Sequence, residues 1–179
     1  REVVNNLGLF VTYKDEDEFP SRELYRTSPV VVSLTPQEAE KLSAPMEVEM
    51  TLFPNGGMDV LITVKDKEYR KQFEQLPAVF PTDEGTVAFF ESKDTLAVNQ
   101  AKEESKERHI NAFINRPMSV AKGYIQSLSI APTSKTTSVA VLSLKNSNTQ
   151  RGKDYIDKLL EMYNILSLIH ISEPTRLRC

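Results

Sequence analysis

Apolar and polar residues alternate from Met46 to Leu52, and a second apolar run, Met58 to Val64, follows across Asn55, Gly56 and Gly57. Period two places successive side chains on opposite faces of a strand, and the loop residues accept positive φ. The two runs therefore predict a β-hairpin with a slightly long loop. Val30 to Leu34 is a β-branched run and predicts another strand. Leu9 to Tyr13, Thr86 to Glu91 and Ser138 to Leu144 read as further short strands, and the alternation of Ile110, Ala112 and Ile114 predicts one before Asn115, Arg116 and Pro117. After Pro117 the period changes to about 3.6. Val120, Ala121, Tyr124, Ile125 and Leu128 mark one helix, and Tyr155, Ile156, Leu159, Leu160 and Tyr163 give a second its apolar stripe, opened by Asn148 or Thr149. A short helix opens at Thr35, a capping residue followed by Pro36 and by Glu38, which closes a capping box; Ser43, Ala44 and Pro45 stop it. Arg1 to Asn6 reads as the last turns of a helix, with Gly8 as a left-handed stop. Tyr69 to Leu76 reads as a turn or short helix ending at Pro77. Ala97 to Arg108 is polar and suits a helix or an exposed connection.

This order of elements predicts an α+β fold: a mixed sheet with packed helices and a strand-rich insert. The chain has 179 residues, 40% of them hydrophobic and 26% charged, enough for one folded domain or two small ones. Its net charge of -3 with mixed signs speaks against general nucleic-acid binding, which needs a concentrated basic surface. One cysteine, Cys179, rules out an internal disulfide, and no Cys/His set has the spacing of a zinc site. No apolar run approaches the ~20 residues of a membrane helix, and the N-terminus does not read as a signal peptide.

Leu166 to Arg176 breaks the helical period. Residue for residue it resembles the translation of a transposase adapter used in sequencing-library preparation. Without that resemblance Leu166 to Ile171 would read as a strand ended by Pro174. Residues 165–179 are accordingly expected to be a non-native tail, and the remainder an internal piece of a longer protein.

Catalytic chemistry finds little footing. With the tail set aside His109 is the remaining histidine, placed between a charged segment and a strand, where a solvated side chain is the commonest outcome. No Gly-x-Ser-x-Gly elbow is present, and Gly152-Lys153 lacks the other residues of a phosphate-binding loop. The acidic run Asp15 to Glu18 has neither the glycine nor the terminal glutamate of a calcium loop, so it reads as a solvated connection. No residue is assigned as catalytic, cofactor-binding or metal-ligating, and no cofactor is expected.

The C-terminal third carries a recognisable arrangement. Leu128, Ser129, Ile130 and Pro132 follow a helix; Lys135, Thr136 and Thr137 precede a strand; Leu159 and Tyr163 stand on the final helix, with Asp157 where an asparagine is expected. This is similar to the periplasmic region of the polysaccharide chain-length determinants, the Wzz family, and resembles most their Wzc-type tyrosine kinase relatives. Val3 to Leu9 and Ser28 to Val30 resemble the family's helix-to-strand passage and the strand start after it. The resemblance implies an α/β base from residues 1–29 and 115–164, with a strand-rich insert at 30–114. It implies a parent anchored at the periplasmic face of the bacterial inner membrane, homo-oligomeric, working with polysaccharide polymerase and export machinery in capsule or exopolysaccharide biosynthesis. None of the matching residues is catalytic, so no enzymatic activity is expected of this segment; the resemblance to the Wzc-type relatives implies a kinase domain downstream in the parent. A glycan- or partner-binding β-rich adaptor is the alternative.

Overall fold

The computed structural model describes residues 1–17, 19–93, 106–132 and 140–171, with side chains to residue 165. The fold is α+β. Helix α1 (Glu2–Leu7) ends at Gly8, whose φ of 62° is the left-handed stop the sequence predicts. Strand β1 (Val11–Asp15) begins two residues later than expected and runs into the acidic segment, followed by the short β2 (Arg22–Glu23). Next come β3 (Val30–Ser33), helix α2 (Pro36–Lys41), and the hairpin of β4 (Met46–Leu52) and β5 (Met58–Val64), paired from Leu52↔Met58 to Met46↔Val64.

Besides the two-residue β2, two strands were not expected. β6 (Lys67–Phe73) lies where a turn or short helix was read, and β7 (Ala78–Thr82) follows it. β6 is an edge strand and mostly exposed, so its residues need no alternating apolar pattern; it pairs with β5 through a tight turn with Lys65 at φ 54°. β7 holds Pro81, which an edge strand tolerates because one side of it needs no donor. β8 (Gly85–Glu91) and β9 (Arg108–Ile114) match their predicted strands. Of the polar stretch from Ala97, residues 97–105 lie outside the described ones. Helix α3 (Pro117–Ser127), the ribbon of β10 (Leu128–Pro132) and β11 (Ala140–Leu144), and helix α4 (Thr149–Ile171) complete the chain. From Leu166 to Ile171 the backbone is helical, so the strand read for that stretch does not form.

The strands make a six-stranded sheet, β2-β1-β9-β4-β5-β6, a three-stranded sheet, β3-β8-β7, and the two-stranded ribbon. Among the described residues every pairing is antiparallel, where a mixed sheet was expected. Hairpin connections enforce the antiparallel sense for β1–β2, β4–β5, β5–β6 and β7–β8, while β1–β9, β4–β9 and β3–β8 pair strands distant in the chain. β1 pairs along its length with β9, so residues 1–29 and 30–114 contribute to one sheet.

One core joins the two larger sheets. Val48, Val60, Ile62, Ile110, Ala112 and Ile114 are fully buried on the larger sheet, and Val87 and Phe89 on the smaller. Each such Ile, Val or Phe is worth roughly 1.5–3 kcal/mol. Phe73 of β6 bridges the layers, its ring 6.0 Å from that of Phe80 and 5.9 Å from that of Phe89. Tyr13 makes a polar link: Val32 N–H donates to its hydroxyl at 2.9 Å and that hydroxyl donates to Val32 C=O at 3.3 Å.

Helix α2 closes one end. The Thr35 hydroxyl accepts from Glu38 N–H at 3.3 Å and donates to the Glu38 carboxylate at 2.5 Å. Glu38 also accepts from Thr86 N–H, pinning the helix to β8, and these bonds hold its carboxyl below the usual glutamate range. Thr35→Ala is expected to cost about 1 kcal/mol in urea denaturation. No loss would mean that Pro36 and the β8 contact hold the helix start unaided.

Helix α4 buries less than the apolar stripe its sequence presents. It packs against α1 and touches β11, and Tyr155 stacks on Tyr124 of α3 with ring centroids 4.2 Å apart. Tyr155 is buried and Ile156, Leu159 and Met162 are partly buried, but Leu160 and Tyr163 face solvent. The buried stripe is narrower than the apolar one, because α4 meets a neighbouring helix along a line rather than a sheet across a surface.

Candidate functional site

The acidic run does not behave as one solvated loop. The Asp15 side chain is 3% exposed and pairs with Arg108 at 2.7 Å. Asp17 accepts from the His109 backbone N–H at 2.8 Å, and its carboxylate lies 2.9 Å from the His109 ring. Partial burial works against the Asp17 carboxylate. The His109 hydrogen bonds and the Arg108 charge outweigh it and hold the group below the usual aspartate range. His109 thus joins the start of β9 to the end of β1, with its ring half exposed and facing a carboxylate. Among the described residues no group of three or more His, Cys, Asp and Glu side chains is placed to hold a metal ion.

The most concentrated polar arrangement forms around Arg151. Asn148 opens α4 by accepting the Arg151 N–H at 3.0 Å, which fixes Arg151 on the first turn. From there its side chain turns inward, and the residue is 6% exposed. Nε donates to the Tyr124 hydroxyl at 2.9 Å, one terminal nitrogen to Glu23 at 2.8 Å, and the other to the Leu9 carbonyl. The guanidinium fork therefore ties α4 to α3, to β2 and to the end of α1. Beside it Asp154 accepts from the Tyr25 hydroxyl at 2.9 Å and pairs with Arg26 at 3.0 Å. Burial, then the Asp154 contact, raises the Tyr25 phenol.

The sequence places Tyr124 on a helical stripe and Asn148 at a helix start, but does not single out Arg151, Glu23, Tyr25, Arg26 or Asp154. A signal was present: Arg151 lies four residues before Tyr155, so it shares the buried face of α4. A charged residue on an apolar helical stripe is a buried charge awaiting a partner.

Two surface features complete the geometry. A groove of about 770 Å³ runs between α1, β1 and β3, and Asn5 Oδ1 is buried without a hydrogen-bond partner among the described residues. The β10–β11 ribbon projects Ile130 at 64% exposure and Val141 at 48%, while Ile125 and Tyr163 are exposed on helices α3 and α4. No helix among the described residues is long and apolar enough to cross a membrane. In comparisons with known proteins, no family model and no curated protein matches the chain.

Proposed function

We propose that the chain is a scaffolding and oligomerisation segment from the periplasmic region of a polysaccharide co-polymerase, at the inner-membrane face of a bacterium. In this reading it helps regulate chain length in capsule or exopolysaccharide biosynthesis and supplies contacts rather than chemistry. Any ATP-binding kinase domain of the parent would lie downstream.

The observation that carries the reading is the β10–β11 ribbon. Leu128, Ile130 and Pro132 share one face with Leu142, Leu144 and Ala140, and neither strand carries a charged residue. Two-stranded ribbons are marginal in water and gain stability when another surface covers them. The other edges have guards: β6 is charged, β2 is only two residues long, β7 carries Pro81, and on β3 the Tyr13 hydroxyl engages Val32. An unguarded apolar ribbon suits contact between copies. Of the residues that carry the family resemblance, Leu128 to Pro132 form one of its strands, and Lys135, Thr136 and Thr137 lie outside the described residues.

Sedimentation velocity tests this directly. The chain is expected to self-associate as concentration rises, and Ile130→Glu to shift it towards monomer at an unchanged melting temperature. Monomer at every concentration would count against oligomerisation through this segment. In the source cell, loss of the parent gene is expected to change the length distribution of a surface polysaccharide; an unchanged distribution would refute the chain-length role.

A further inference from the structure

We infer that the cleft between α3, the β1–β2 hairpin and the loop before α4 binds a neutral, hydroxyl-rich ligand of hexose size. The cleft has a volume of about 300 Å³, at the small end of ligand pockets. Arg151 and Glu23 meet in its wall at 2.8 Å, and their charges cancel. An anion would face the Glu23 carboxylate and a cation the Arg151 guanidinium, so neither sign is favoured. The remaining polar lining comes from Thr12, Ser127, Asn146 and Ser147: the Ser127 hydroxyl donates to the Gly123 carbonyl and the Ser147 hydroxyl to Glu23, so these two offer acceptor oxygens, while the Thr12 hydroxyl and the Asn146 amide N–H groups are the donors. A purely apolar ligand would strip water from these groups without replacing its hydrogen bonds. Neutral hydroxyls that both donate and accept match the wall.

Gly123 supplies the independent observation. It lies inside α3, where glycine is less favourable than alanine, and it lines the cleft. The chain's other glycines are accounted for by a positive φ or by an atom that a side chain would meet. At Gly123 a Cβ would find no described atom within 4 Å. Neither backbone conformation nor internal packing asks for glycine there. What the missing side chain keeps open is space at the cleft, next to the Arg151 and Tyr124 pair.

The test is an NMR titration of the full nitrogen-labelled chain with glucose, galactose and N-acetylglucosamine in turn, and with inorganic phosphate as the charged comparison. The Arg151 Nε–H and Gly123 N–H signals are expected to move saturably with at least one sugar and to stay in place with phosphate. Gly123→Gln, whose side chain would grow into the cleft, is expected to weaken that binding by at least about tenfold, with a melting temperature equal to or above the parent's. Gly123→Ala provides a second variant that keeps the helix and fills less of the space, with a smaller loss expected. Absence of a saturable shift with all three sugars would overturn the inference, as would a response to phosphate instead, or sugar binding unchanged in the folded Gly123→Gln chain. The inference is independent of the scaffold reading, since self-association and sugar binding are measured separately.

Discussion

Arg151→Ala is expected to destabilise the fold by about 3–5 kcal/mol, the range for removing one partner of a buried ion pair. The loss exceeds that of an ordinary surface arginine because three acceptors lose their donor at once: Glu23, the Tyr124 hydroxyl and the Leu9 carbonyl. Arg151→Lys is expected to recover little, since a compact ammonium cannot reproduce the planar fork. Urea denaturation of both variants at constant m-value checks this. A loss below about 1 kcal/mol for the alanine variant would show that water replaces the guanidinium at all three acceptors. Glu23→Gln, measured alone and combined with Arg151→Ala, isolates the charged part, and non-additivity is expected because the two side chains are in contact.

Tyr13→Phe carries the second large effect. The ring remains, but Val32 N–H and C=O both lose their partner on the free side of β3. Leaving two buried backbone groups unsatisfied is expected to cost about 2–4 kcal/mol. The effect has a pH signature. Burial, opposed by the Val32 hydrogen bond, raises the Tyr13 phenol from 10.0 to about 12. A folded pKa above the unfolded value means that the stabilisation is complete below about pH 10 and is lost as pH rises towards 12. At full loss this amounts to about 2.7 kcal/mol. The gap between the parent and Tyr13→Phe is therefore expected to shrink between about pH 7 and pH 11. A constant gap would show that the phenol is not the group that titrates in this range.

The same two residues mark how far the sequence is legible. The β4–β5 hairpin, the α2 cap, the Gly8 stop and the core positions of β9 could be read locally, because a period, a capping pair or a turn residue acts within a few positions of itself. β6 escaped because an edge strand is held by its neighbour's hydrogen bonds and carries little pattern of its own, and β7 because its alternation of buried Ala78 and Phe80 is short and ends at Pro81. The apolar stripe of α4 is legible in the sequence but its buried part is not, since the partner's shape decides how much of a stripe is covered.

Local sequence thus determined most strands, all four described helices and the α+β class, through periodicities and end signals that need no distant partner. It could not determine the antiparallel order, the burial of Asp15 or the convergence of Arg151 on Glu23, Tyr124 and Leu9. Those acceptors lie 128, 27 and 142 residues from Arg151 along the chain. A charge's environment depends on which groups the folded chain brings within hydrogen-bond reach, and only tertiary packing sets that distance.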